Sequence, residues 1–113
     1  MTLQKYKRPQ KLPSTTVKVK VGCGTLYVTV SRDDGRIVEV FATIGKAGQC
    51  ALAQNEALMR SITSGLKYGV PIDEYISQLK GIRCPAPYML GTDQEALSCP
   101  DAIAKVLEAE STS

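Results

Sequence analysis

Apolar and polar residues alternate along the N-terminal part of the chain, between Val17 and Gly45. This alternation is the period of a β-strand with one buried face. Glycines on both sides of Cys23 predict a sharp bend after the first strand, because glycine adopts backbone conformations that other residues avoid. The motif RDDGR, residues 32–36, predicts a turn between two further strands near 26–31 and 37–44. The sequence therefore predicts an antiparallel meander of about three strands.

From Gln49 the spacing of the apolar residues changes to that of a helix. The predicted apolar face consists of Leu52, Met59, Ile62 and Leu66. These spacings are typical of an amphipathic helix of about five turns, which Gly69 ends.

Two shorter helices are predicted in the C-terminal part. The first lies between Pro71 and Gly81, and its apolar face contains Ile72, Tyr75, Ile76 and Leu79. The segment from Gly81 to Leu97 has no clear period and predicts a long loop. Ser98 and Asp101 have the spacing of a capping box, which predicts the start of the last helix. The predicted fold class is α+β, with an N-terminal antiparallel sheet of about three strands packed against three helices.

Positive charge is concentrated at the N-terminus. Of the 14 lysines and arginines, six lie in the first twenty residues, which contain no acid. We expect a flexible basic leader over residues 1–16, a single domain over 17–109 and a tail over 110–113. The leader either improves solubility or binds phosphate groups. Nothing in it supports sequence-specific recognition of nucleic acid.

Hydropathy predicts a cytoplasmic protein without a membrane partner. No apolar run approaches the ~20 residues that cross a bilayer, and the N-terminus lacks the apolar core of a signal peptide. In a reducing compartment the cysteines stay reduced unless they bind a metal or take part in redox chemistry. Because 113 residues support only one modest core, we also expect a homo-oligomer.

The four cysteines, Cys23, Cys50, Cys84 and Cys99, lie at predicted bends, loops and helix starts. Since the chain has no histidine, a zinc site would have to use these thiolates. The alternative is that Cys23 and Cys50 pack as small apolar residues. The position of Cys99 at a helix start favours its thiolate, because the N–H groups and the dipole of the helix N-terminus stabilise negative charge. Without histidine, however, the usual cysteine–base pair cannot form, so no catalytic residue is predicted.

A second candidate site follows the last predicted strand and consists of Gly45, Lys46, Ala47 and Gly48. Small residues before a helix start let backbone N–H groups approach an anion, and Lys46 adds a positive charge. Arg60 and Lys67 are seven residues apart on the long helix and are candidates for the same phosphate-binding site. The alternatives are a tight turn and a solvated helix face.

Three separated segments resemble one known family. These are GCGTLYVTVSRDDGRIVEVFATIGKAGQC, LKGIRCPAP and SCPDAIAKVLE. They resemble the TSCPD domain found at the C-terminus of adenosylcobalamin-dependent (class II) ribonucleotide reductases and in short stand-alone proteins. The resemblance extends from about Val21 to Glu108, and Leu97 stands where the family motif has threonine.

The resemblance implies an accessory domain of deoxyribonucleotide metabolism and strengthens the prediction of a four-cysteine site. It implies no reductase activity and no cobalamin site, because the reductase's catalytic barrel and radical cysteine lie in a part that this chain lacks. The leading hypothesis is a non-catalytic nucleotide-related binding or accessory module, with a nucleotide, another phosphorylated small molecule or a reductase subunit as partner. The alternatives are an oligomeric sponge for a cyclic or ADP-ribose-type nucleotide signal, based on fold analogy, and a zinc-stapled structural domain.

Overall fold

The computed structural model describes residues 3–45, 49–85, 87–88 and 95–111, with the side chains of residues 49–51 outside the description. The elements are β1 (Ser14–Val21), β2 (Gly24–Asp33), β3 (Arg36–Gly45), α1 (Gln49–Lys67), α2 (Ile72–Leu79) and α3 (Cys99–Ser111). The predicted α+β class, with a three-stranded sheet before three helices, is confirmed. None of the described helices is long and apolar enough to cross a membrane.

The three strands form one antiparallel sheet in the order β1-β2-β3. The β2–β3 turn contains Asp34 and Gly35, both with positive φ, at 57° and 81°. Two such residues in succession are typical of the tight turn whose twist matches a β-hairpin. The predicted bend around Cys23 joins β1 to β2.

Gly24 brings this first bend close to the end of β3. A Cβ atom at Gly24 would lie 2.5 Å from the Gly45 carbonyl oxygen, and the φ of Gly24 is 147°. Any other residue would push the two strands apart. The close approach therefore places the turn that carries Cys23 beside the end of β3.

The core lies between one face of the sheet and the helices. Its fully buried side chains include Leu26, Val28 and Val30 of β2, Ile62 of α1, and Ile103 and Leu107 of α3. On α1 the buried positions are Asn55, Met59, Ile62 and Leu66. Leu52, predicted to face the core, is 43% exposed, and among the described side chains of α1 the first buried one is Asn55.

α1 and α2 pack closely at a glycine. A Cβ atom built at Gly65 would lie 1.7 Å from the Tyr75 hydroxyl and 2.9 Å from its ring carbon Cζ. Gly65 therefore lets the Tyr75 ring lie directly against the backbone of α1.

The two edges of the sheet differ. α1 covers the edge formed by β3, where the Thr63 hydroxyl accepts a hydrogen bond from the Val40 N–H and donates one to the Val40 carbonyl, each at 3.0 Å. In the described part of the chain β1 pairs with β2 alone, so its outer edge has no partner strand.

Part of the leader predicted to be flexible lies against the folded domain. The Tyr6 hydroxyl donates to the Asp33 carboxylate, and the Tyr6 N–H donates to the Lys67 carbonyl at 2.6 Å. Arg8 forms an ion pair with Glu39, a carboxylate that is 3% exposed. A buried carboxylate requires compensating charge, and Arg8 of the leader supplies it.

Candidate functional site

Ser98 caps α3 and ties it to the segment that follows α2. Its hydroxyl accepts a hydrogen bond from the Asp101 N–H at 3.1 Å and donates one to the Ile82 carbonyl at 2.6 Å. The first bond satisfies an amide that has no partner within the helix. The predicted cap is therefore present, and the same hydroxyl joins two segments distant in sequence.

Asp101 completes this junction from inside the protein. Its carboxylate, in a residue that is 1% exposed, accepts from the N–H groups of Gly81 and Leu97 at 2.8 and 3.0 Å and pairs with Lys105 at 2.9 Å. Burial acts to raise the pKa of Asp101, but these hydrogen bonds and the Lys105 charge outweigh it and lower the pKa. In a complete capping box, the Asp101 carboxylate would accept a hydrogen bond from the Ser98 N–H. Here it accepts one from the Leu97 N–H instead.

The two arms of the loop before α3 run beside each other. Cys84 donates its N–H to the Leu97 carbonyl at 2.9 Å. Tyr88 and Ala96 exchange two backbone hydrogen bonds of 2.7 and 2.8 Å. These bonds fix the backbone of Cys84 next to the residues that lead into Cys99.

Three thiols, from the β1–β2 turn, the loop and α3, share one neighbourhood. Burial raises the pKa of the Cys99 thiol, the Asn55 amide lowers it, and the charges of Cys23 and Cys84 raise it. Because such effects decline with distance, Cys23 and Cys84 lie within the range of electrostatic interaction with Cys99. All three are free cysteines, with Cys23 exposed and the others half-buried.

Asn55 is a buried polar residue beside this thiol cluster, defined as Cys23, Cys84 and Cys99. It is 5% exposed, and its side-chain nitrogen makes no hydrogen bond of ordinary geometry with any described residue. The Cys99 thiol is the described group on which this amide acts. Sequence reasoning missed Asn55, although a polar residue in line with Met59 and Ile62 was a signal.

The predicted metal ligands are brought together in part. Among the described side chains, no group of three cysteines or acids is arranged to hold a metal ion. Cys50 lies in the first turn of α1, but its side chain is outside the described part. Zinc binding therefore stays a prediction.

Of the predicted phosphate-binding residues, the structure describes Gly45, Arg60 and Lys67, so the site stays a prediction. Lys46, Ala47 and Gly48 lie outside the described residues. Arg60 is exposed and pairs with Glu56 at 3.6 Å, whereas Lys67 lies 3.8 Å from Glu39. Since α1 rises about 1.5 Å per residue, its 19 residues place Lys67 roughly 27 Å from the turn at its start.

A groove that sequence reasoning did not anticipate lies between β1 and α3. It has a volume of about 310 Å³. Its apolar lining comes from Val17, Val19, Ala102, Val106 and Ala109, and Lys18, Lys20 and Glu95 are among its polar residues. Val17 and Val19 have the alternating pattern of residues that face the core from β1, but both are only half-buried.

The surroundings of Cys99 disfavour its ionised form. The prediction that the helix start favours the Cys99 thiolate is wrong, because burial raises the pKa of this thiol and keeps it protonated near neutral pH, whereas a nucleophile requires the thiolate. The described groups that act on Cys99 are an amide and two thiols, not a carboxylate or an amine. The arrangement is suited to holding a ligand or stabilising the fold.

The residues of this junction belong to a recognised signature. A TSCPD domain profile matches residues 4–111. The chain belongs to the TSCPD domain family. In this TSCPD domain, the signature residues Ser98 to Asp101 form the structural junction just described.

Curated relatives of this TSCPD domain are much longer proteins. The chain is 33% identical over 92 residues to a vitamin B12-dependent ribonucleotide reductase of Bradyrhizobium diazoefficiens, covering 80% of the chain and 7% of the relative. The corresponding protein of Agrobacterium fabrum is 32% identical over the same shares. That of Streptantibioticus cattleyicolor is 32% identical over 77 residues, 66% of the chain and 13% of the relative. No solved structure matches the chain.

Proposed function

We propose that this protein is a non-catalytic accessory module of ribonucleotide reduction that docks onto a larger protein through the open edge of its sheet. The observation that carries the proposal is the unpaired outer edge of β1 beside the groove. Family membership supports it, because the matching segment in the reductases is a small part of a long chain. The accessory role is the one that the TSCPD resemblance implies.

The hydrogen-bond register identifies the backbone groups that a partner strand would meet. The Val40 N–H and C=O face Thr63, so Val30, which pairs with Val40, directs its own groups towards β1. The Pro13 carbonyl accepts a hydrogen bond from the Arg32 N–H. The backbone N–H and C=O groups of the odd-numbered residues of β1 therefore point towards β2. The backbone groups of Thr16, Lys18 and Lys20 therefore point outwards.

The groove supplies apolar contact next to these outward groups. An extended segment added to β1 would direct alternate side chains over Val17 and Val19, where β1 and α3 leave apolar surface open. Lys18 and Lys20 alternate with Val17 and Val19 along the same edge and also border the groove. Their charges oppose pairing of two copies of β1, and so favour a different protein as the partner.

The docking edge is tested by the variant Thr16→Pro, with Thr16→Ala as matched control. Proline removes the Thr16 N–H, which points outwards and takes no part in the β1–β2 ladder. The backbone hydrogen bonds between β1 and β2 are therefore kept. We expect Thr16→Pro to weaken binding to the Bradyrhizobium diazoefficiens reductase about tenfold or more, and Thr16→Ala to leave it within about twofold. Biolayer interferometry measures the affinity, and thermal unfolding checks that both variants fold.

Two results would contradict the docking proposal. One is that the unmodified chain does not bind the reductase at micromolar concentration. The other is that folded Thr16→Pro and Thr16→Ala bind equally well, which would place the contact elsewhere on the surface.

A second candidate function, a structural domain stabilised by zinc, is favoured by the thiol cluster. A thiolate-bound zinc ion would stabilise the junction between the β1–β2 turn and α3. We expect protein purified without chelator to hold about one zinc per chain, and Cys99→Ser to lose it and unfold at a lower temperature. Elemental analysis that finds less than about half an equivalent in the unmodified chain would contradict this function.

The sponge hypothesis and the homo-oligomer stay predictions. Native mass spectrometry tests both in one measurement, because it reports the number of copies and any retained cyclic or ADP-ribose-type nucleotide. A monomer without such a ligand would contradict the sponge.

A further inference from the structure

The face of the sheet that points away from the core exposes two aromatic rings. Tyr27 of β2 is 40% exposed and Phe41 of β3 is 52% exposed. We call this surface the platform and define it as Tyr27, Phe41, Lys18, Lys20, Thr29 and Thr43. Side chains of paired residues, and of every second residue along a strand, point to the same face of a sheet. The pairing of the three strands therefore puts all six residues on one face.

The register places the platform residues within reach of a single small ligand. Tyr27 lies directly opposite Lys18 on β1, and Phe41 lies opposite Thr29 on β2. Tyr27 and Phe41 are therefore diagonal neighbours, with backbones about 7–8 Å apart. A Lys18 ammonium next to Tyr27 is close to any group that lies over the two rings.

The platform is positively charged. Lys18 and Lys20 are exposed, and no ion pair to either is found within the described chain. Glu39, two residues from Phe41 on the same face, is buried and neutralised by Arg8 and Lys67. The surface around the rings is therefore complementary to an anion.

We propose that the platform binds a nucleotide, with its base stacked on Tyr27 and Phe41 and its phosphate at Lys18 and Lys20. Every base presents a flat π-face to an aromatic side chain, and lysine binds phosphate as a point charge. A wholly apolar partner would use the rings but would leave two lysines desolvated. The two rings lie on the opposite face of the sheet from Val17 and Val19 of the groove, so variants of the rings test nucleotide binding without altering the docking edge.

The position differs from the phosphate-binding turn predicted from the sequence. That turn follows β3, at Gly45 to Gly48, whereas the platform lies in the middle of the strands. Thr43, opposite Tyr27 on β3, supplies a hydroxyl group for sugar or phosphate oxygens, whereas the Thr29 hydroxyl is hydrogen-bonded to that of Thr16. The ligand class is therefore a nucleobase joined to phosphate, either as a free nucleotide or within a single strand.

The test uses the full chain and two probes, ADP and an eight-nucleotide oligothymidine, each titrated at low salt by NMR. We expect the amide signals of Lys18, Tyr27 and Phe41 to shift. Stacking of one base is worth about 1–3 kcal/mol, so Phe41→Ala and Tyr27→Ala should each weaken binding about 5- to 150-fold. Tyr68→Ala is the matched control, because Tyr68 is also 40% exposed but lies at the end of α1.

The two titrations and the ring variants give results that either support or overturn nucleotide binding at the platform. Binding of ADP supports a free nucleotide, and binding of the oligothymidine alone supports a single strand. Binding that the ring variants leave unchanged, or that shifts only signals near Gly45, overturns the platform. Absence of binding by both probes overturns it as well. The ring variants should still bind the reductase, so failure of the docking proposal is measured separately.

Discussion

At the scale of single residues, Asp101 holds together parts of the chain that are distant in sequence. It accepts hydrogen bonds from Gly81 and Leu97 and pairs with Lys105. The Ser98–Asp101 spacing predicted a helix cap, and the cap is present. The contact with Gly81 spans twenty residues, and spacing alone cannot show which loop a carboxylate will meet. The TSCPD motif is therefore a tertiary junction as well as a cap.

Replacing Asp101 by Asn should destabilise the protein by about 2–4 kcal/mol near neutral pH, because the buried amide cannot satisfy two donors and the Lys105 charge. The pKa of Asp101 is lower in the folded than in the unfolded chain. Its stabilising effect is therefore complete above about pH 4 and is lost as pH falls through the lowered pKa.

Urea unfolding of the two proteins across the acidic range measures this effect. The difference between them should shrink as the pH decreases. Asp73→Asn is the control, since Asp73 is an exposed acid in the first turn of α2. A difference that stays constant down to pH 2 would show that the Asp101 charge is not responsible.

At the scale of elements, helical periodicity predicted where α1 lies, and three of its four proposed core residues are buried. The same pattern missed Asn55, because a search for apolar residues passes over a polar one in the buried stripe. It also gave no sign of the close packing of α1 on α2, since this depends on the direction in which α2 returns. Gly65 is therefore a packing residue, although its sequence position is that of an ordinary helix residue.

Gly65→Ala is expected to destabilise the protein by about 1–3 kcal/mol, because the added methyl group overlaps the Tyr75 ring. In an uncrowded helix the same change would stabilise by up to about 1 kcal/mol. Combining it with Tyr75→Ala should remove the clash, so the double variant should be more stable than Tyr75→Ala alone. Thermal and urea unfolding measure both effects, and a stabilising single substitution would contradict the packing described here.

At the scale of the whole molecule, alternating and helical periods were enough to predict the fold class and the order of all six elements. They could not predict the groove or the platform. Val17 and Val19 have the pattern of core residues, yet α3 leaves them half-covered. Phe41 has the same apolar character but lies on the outer face. Which apolar residues stay exposed depends on how far each helix extends over the sheet.

Because the two edges of the described sheet differ, one of them can accept a further strand and the other cannot. Thr63 and α1 occupy the β3 side, so a strand can be added only next to β1. Fibril growth by strand addition needs two open edges, since each new copy must offer a fresh edge to the next. A single strand bound at β1, or one pairing of two copies there, would use up the only site of growth in the described sheet. The capped β3 edge thus stops open-ended polymerisation while leaving one place for recognition.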